Sequence, residues 1–203
     1  VSVSAPNITA TFSEPIDKTT VVTAASFTLV GQGGTAVAGT ITYDGANNKA
    51  TFTPSANLAY STIYSATIKT GVKDLYGNPM ASQKTWSFTT AAQPDTTAPT
   101  VTQVTPADSA TSVSISVPNI SAVFSESMDS STINTTNFKL TAQAGSSVTG
   151  TVAYDSTNKK ASFTPSSDLS YSTVYIASVE TGVKDSSANA LAIRKTWSFT
   201  TAS

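Results

Sequence analysis

The stretch GTITYDGANNKATFTPSANLAYSTIY, from Gly39 to Tyr64, decides the fold. Its apolar residues fall on alternate positions, Ile41 with Tyr43 and then Ala50 with Phe52. Between them DGANN (Asp44 to Asn48) crowds together the residue types that turn a chain. A period of two broken by such a cluster predicts two short strands joined by a tight turn, each with one face toward a core. The same text returns as GTVAYDSTNKKASFTPSSDLSYSTVY, from Gly150 to Tyr175.

The repetition extends outward in both directions. PNITATFSEPID (Pro6 to Asp17) reappears as PNISAVFSESMD (Pro118 to Asp129), and KTWSFTTA occurs from Lys84 and again from Lys195. A period of roughly 111 residues, with about half of the aligned positions identical, marks two copies of one domain. We expect domain 1 over residues 1–92, a short stiff linker over 93–99 in AAQPDTTAPT, and domain 2 over 100–203. Val1 aligns with Val113, so the first copy is expected to lack the first strand that VTQVTPADSATS supplies to the second.

The same alternation marks Ile8, Ala10 and Phe12; Phe27 and Leu29; Tyr64, Ala66 and Ile68; and Trp86 and Phe88. About seven short strands in about 100 residues is the arithmetic of an Ig-like sandwich. No segment sustains a 3.6-residue period, so helix should be nearly absent. The fold class expected is therefore all-β: two tandem Ig-like or fibronectin-III-like antiparallel β-sandwiches of about seven strands each. The composition agrees, since about a third of the 203 residues are Ser or Thr, which suits pleated strands and polar turns.

Charge and chemistry narrow the function. Only 11% of residues are charged and the net charge is −1, so no basic footprint for nucleic acid exists. No run of about 18 apolar residues is present to enter a membrane. The chain has neither Cys nor His, which removes thiol nucleophiles, His general bases, Ser-His-Asp triads and the usual zinc sets. The expectation is a non-enzyme.

Three groups of polar residues remain as candidate sites. Glu14 with Asp17, mirrored by Glu126 with Asp129, can be read as an acid–base pair, but a polar turn capping backbone N–H groups explains them as well. The loops TGVKDLYGNPM (Thr70 to Met80) and TGVKDSSANAL (Thr181 to Leu191) hold Asp74 with Asn78 and Asp185 with Asn189. These oxygen donors, like Asp44 with Asn47 and Asp155 with Asn158, suit Ca²⁺, although no D-x-D-x-D clustering accompanies them. The residues imply no other cofactor. Asp74 and Asp185 are read first as capping residues of a structural corner, with Val72 plugging the core beneath. Tyr76 lies off any strand phase and is replaced by Ser187 in the second copy, which makes it the candidate contact residue. Sequons at Asn7, Asn119 and Asn134 are expected by chance in a Ser/Thr-rich chain.

LAYSTIYSATI (Leu58 to Ile68) and LSYSTVYIASV (Leu169 to Val179) resemble the tyrosine corner of fibronectin-III-type sandwiches. By that resemblance Tyr64 and Tyr175 are structural, their hydroxyls bonded to upstream backbone. Trp86 and Trp197, on the apolar phase of their strands, are read as core. VFSESMD, GTVAYDSTNKKASFTP, LSYSTVY, TGVKD and TWSFTTA, in that order, are similar to the bacterial Ig-like domain family, in the subgroup found in S-layer and other surface proteins. The resemblance implies an extracellular or cell-surface location, neighbouring repeats as partners, and a structural spacer role. Its alternatives are an adhesin module gripping glycan or protein through loops, and accessory domains of a larger secreted enzyme.

Overall fold

The computed structural model describes residues 1–203 apart from Ala5 and Val117. The chain divides into two compact units, Val1–Gln93 and Pro94–Ser203. The first contains β1 (Ile8–Thr11), a four-residue helix α1 (Lys18–Val21), β2 (Phe27–Gly31), β3 (Gly39–Asp44), β4 (Lys49–Pro54), β5 (Ile63–Ile68) and β6 (Lys84–Thr89). The second contains β7 (Val101–Thr105), β8 (Ala110–Val113), β9 (Ile120–Phe124), β10 (Phe138–Ala142), β11 (Gly150–Asp155), β12 (Lys160–Pro165), β13 (Val174–Val179) and β14 (Lys195–Thr201).

In the first unit the sheets have the order β1-β4-β3 and β2-β5-β6, all antiparallel. The second unit repeats them as β9-β12-β11 and β10-β13-β14 and adds one strand to each. β7 joins antiparallel to β9, and β8 joins parallel to β14. Among the described residues, six and eight strands thus stand on either side of the expected seven.

The opening stretch forms β3 and β4 with Ile41 opposite Phe52 and Tyr43 opposite Ala50, so the turn at Asp44–Asn48 sets the register. Alternate residues point inward from both sheets and interlock. Phe27 meets the rings of Phe52 at 5.6 Å and Trp86 at 5.8 Å; Phe138 meets Phe163 at 5.9 Å and Trp197 at 5.8 Å. Offset and tilted contacts of this kind add to burial rather than merely filling space.

The cores differ in closure. Ala122, Phe124, Trp197 and Phe199 are buried, whereas their counterparts Ala10, Phe12, Trp86 and Phe88 are only half-buried. Val101, Val104, Ala110 and Ile115 pack against the second core and account for the difference. The helix α1, too short to leave a periodic signal, is started by Asp17, whose carboxylate accepts the Thr19 N–H at 2.9 Å. Asp129 does the same for a single 3-10 turn, Ser130–Thr132.

Candidate functional site

The two TGVKD loops join β5 to β6 and β13 to β14, and in each the aspartate organises the turn. Asp74 Oδ1 accepts the N–H groups of Tyr76 and Asn78, both at 2.8 Å, while Asn78 Nδ2 donates to Oδ2 at 2.7 Å. Asp185 repeats the pattern with Ser187 N, Asn189 N and Asn189 Nδ2, all at 2.8 Å. In each loop the asparagine amide and two backbone N–H groups thus occupy the aspartate's carboxylate oxygens. Asp44 with Asn47 (2.6 Å) and Asp155 with Asn158 (2.6 Å) are closed upon themselves in the same way. Val72 and Val183 lie fully buried beneath the loops.

These bonds stabilise the ionised carboxylates. The Asn78 side chain first, then backbone N–H groups outweighing partial burial, hold Asp74 below the ordinary Asp value. Burial pushes Asp185 up, but the Asn189 side chain and the backbone N–H groups of Asn189 and Ser187 outweigh it, and the net shift is again downward. Groups so depressed contribute stability that is complete above the ordinary Asp value and lost as pH falls through the lowered one. Asp185 is 1% exposed and Asp74 is only half-buried, so Asp185→Ala is expected to lower the melting temperature of its unit more than Asp74→Ala does. Thermal denaturation at neutral pH compares them.

The tip of the turn requires a left-handed residue. Gly77 supplies φ +88° in the first unit, but Ala188 is held at φ 71° in the second. A Cβ in that region costs energy that Gly avoids. Ala188→Gly is expected to stabilise the second unit by about 1 kcal/mol in urea denaturation.

One cluster was not foreseen. Carboxylate oxygens of Asp95, Glu126 and Asp185 lie within 4.8 Å of one another. The sequence paired Glu126 with Asp129 and Asp185 with Asn189; the fold instead brings Glu126 to Asp185 and adds Asp95. Residues 93–99, expected as a linker, include Asp95, whose carbonyl accepts Asn189 Nδ2 at 3.1 Å. From Pro94 onward that segment falls within the second unit. The only advance signal was an acid in PDTTAPT, 31 and 90 positions from its partners. Chemically, three converging carboxylates can share a proton or offer oxygens to a hard cation. Desolvation, then the charges of Asp185 and Asp95, raise the Glu126 carboxyl above the ordinary Glu value. A raised carboxyl favours the folded state below the ordinary Glu value, and that contribution is lost as pH rises through the raised one. Glu126→Gln in chelator-containing buffer is therefore expected to raise the melting temperature at neutral pH. Its advantage should vanish as the pH is lowered to about 4, where the native side chain is itself protonated.

The remaining candidates are placed as follows. Tyr64 Oη accepts the Ala59 N–H at 2.9 Å and Tyr175 Oη accepts the Ser170 N–H at 3.0 Å, with both rings buried. Tyr43 and Tyr154 hold the Ile16 and Met128 N–H groups, a pair of contacts that alternation alone did not disclose. Tyr76 is 90% exposed beside Leu75. Asn7 Oδ1 accepts Thr53 Oγ1, and Asn134 Oδ1 accepts the Thr136 N–H. No described helix is long and apolar enough to cross a membrane.

Strand order, inter-sheet aromatic packing and the tyrosine contacts define two tandem Ig-like β-sandwiches. The sequence profile of the bacterial Ig-like domain matches residues 1–90 and again 95–201. The chain belongs to the bacterial Ig-like domain family. An S-layer protein of Geobacillus stearothermophilus is 42% identical over 101 residues, which is 49% of this chain and 8% of that relative's length. Among solved structures, the N-terminal part of the bacterial S-layer protein SbsC is similar at 14% identity and TM-score 0.38, covering 97% of this chain and 42% of that one. The titin domains Z1Z2 in complex with telethonin are similar at 13% identity and TM-score 0.34, covering 98% and 88%. At those scores the structural likenesses add nothing to what the strand order shows.

Proposed function

We propose that these two units are non-catalytic structural repeats of an extracellular or cell-surface bacterial protein, acting as spacers whose partners are neighbouring repeats. The observation that carries this reading is the closure of the repeated acidic loops. Asp44, Asp74 and Asp155 are each bonded to their own turn, and Asp17 and Asp129 start short helical turns. Side chains that build backbone corners in both copies serve stiffness rather than turnover. The identity to an S-layer protein supports the same reading.

Pulling single molecules from their two ends tests it. Two discrete unfolding steps are expected, one for each unit, because each core is self-contained. A single cooperative step, or extension without a step, would refute a mechanical spacer. A second reading rests on Leu75 and Tyr76, 67% and 90% exposed, where the other copy carries Ser186 and Ser187. An adhesin contact there predicts saturable binding to a surface glycan or protein that Tyr76→Ala abolishes without altering the melting temperature.

A further inference from the structure

The outward face of the sheet β1-β4-β3 carries a pattern that the core does not require. Ile8, Ile41, Tyr43, Ala50 and Phe52 turn inward, so the alternate residues of all three strands face outward. Those are Thr9 and Thr11 on β1, Thr51 and Thr53 on β4, and Thr40 and Thr42 on β3. Thr-x-Thr thus occurs on each strand of the sheet, side by side. The register sets the side chains in rows: Thr51 lies opposite both Thr9 and Thr42, and Thr53 lies opposite Thr40.

Thr is a common outward residue of strands, so the second unit is the useful comparison. Its core keeps the corresponding apolar positions, but the six outward positions hold Ser121, Val123, Thr151, Ala153, Ser162 and Thr164. The same three strands pair there without the threonines, which are therefore not needed to build the sheet. In the first unit their hydroxyls are also left for solvent. Of the six, among the described residues, only Thr53 Oγ1 has a protein partner, Asn7 Oδ1 at 3.0 Å.

We propose that this threonine face is an ice-binding surface. Strand geometry spaces the side chains about 4.8 Å apart across the sheet and about 6.7 Å apart along it. Those spacings lie close to the oxygen repeats on the prism face of hexagonal ice, so the hydroxyls anchor ice-like waters while the methyls fill the gaps between them. Branching at Cβ stiffens each side chain, which holds its hydroxyl in place before ice arrives. Other occupants fit the face poorly. It measures about 10 by 13 Å, far short of the about 800 Å² that a stable protein partner covers on each side. Its two charges, Asp44 and Lys49, lie opposite each other in the register, so it offers no field to a polyion. Polysaccharides stack their sugar rings on exposed aromatics, and the six positions hold none. Twist of about 20° between neighbouring strands confines the match to a patch this small. Retention on ice, rather than deep depression of the freezing point, is the activity expected. The proposal goes beyond the spacer role and does not rest on it, since stepwise extension and retention on ice are read separately.

The test grows ice slowly from a solution of the 203-residue chain and compares the protein content of the ice and liquid fractions. The native chain is expected to be enriched in the ice. Thr51→Lys, at the centre of the array, and Thr42→Lys, at its edge, should each fall to the excluded level of a protein that does not bind ice, with melting temperatures unchanged. The sheet already carries Lys49 at an outward position, so lysine is compatible with its fold. Ser162→Lys, the matching change in the second unit, should leave the enrichment intact. Exclusion of the native chain from ice would overturn the proposal. So would undiminished enrichment of either folded lysine variant of the first unit, or loss of enrichment with Ser162→Lys. Exclusion from ice together with sedimentation on crystalline cellulose would name a polysaccharide as the occupant instead.

Discussion

Phe138→Ala is expected to destabilise the second unit by about 3–5 kcal/mol, the cost of truncating a fully enclosed aromatic ring. Phe138 is 1% exposed and touches Phe163 of the opposite sheet and Trp197 of its own, so its loss leaves a cavity between layers that neither sheet can close alone. Set against a stability of about 5–15 kcal/mol for a whole domain, that is a large fraction. Urea denaturation should show a lower midpoint with little change in slope. Phe27→Ala in the first unit should fall near the bottom of the same range, because its neighbour Trp86 is already half-buried and water-accessible. Trp197→Phe is the informative control. The buried indole N–H of Trp197 has no partner among the described residues, so losing it removes a cost along with the contacts. A loss below about 1 kcal/mol for Phe138→Ala would place the centre of the core elsewhere.

The second large effect concerns a single missing side chain. A Cβ on Gly150 would lie 2.5 Å from the Thr164 carbonyl oxygen and 2.6 Å from the Phe163 ring. Gly39 meets the equivalent Phe52 ring at 2.5 Å and the Thr53 carbonyl at 2.7 Å. Two effects oppose each other when either becomes Ala. Restricting the unfolded chain favours the substitution by about 0.4–1 kcal/mol. Overlap with a core ring and a backbone oxygen fixed in the adjacent strand costs about 1–3 kcal/mol, and more where neither can yield. Overlap wins, since each ring is buried and packed against Phe138 or Phe27. Gly150→Ala should therefore destabilise by about 2 kcal/mol or more in the same denaturation assay. A stabilising outcome would mean that β11 and β12 part easily at this end.

Much of this architecture is written in alternation. Ile41, Tyr43, Ala50 and Phe52 each occupy the face that a period of two assigns, and the Asp44–Asn48 cluster turns the chain between them. The acidic loops were legible as corners because Asp and Asn four positions apart can satisfy each other locally. Asp95 was not legible as a neighbour of Glu126 and Asp185, because nothing local ties it to loops so far along the chain. The expectation that helix is nearly absent holds: the four-residue helix Lys18–Val21 is a single turn with no period to detect, and only the capping aspartate announces it.

What the amino-acid sequence determined by itself is the set of strands, the face each side chain takes, and the duplication of one sandwich. Those follow from local rules, in which a residue's immediate neighbours fix its direction. What only the tertiary structure decided is which faces are covered. Trp86 and Trp197 share the strand phase and the flanking text KTWSFTTA, yet one is half-buried and the other is 2% exposed. The difference is made by Val101, Val104 and their neighbours, which close one core at long range. Alternation states where a side chain points; only the folded chain brings something to meet it.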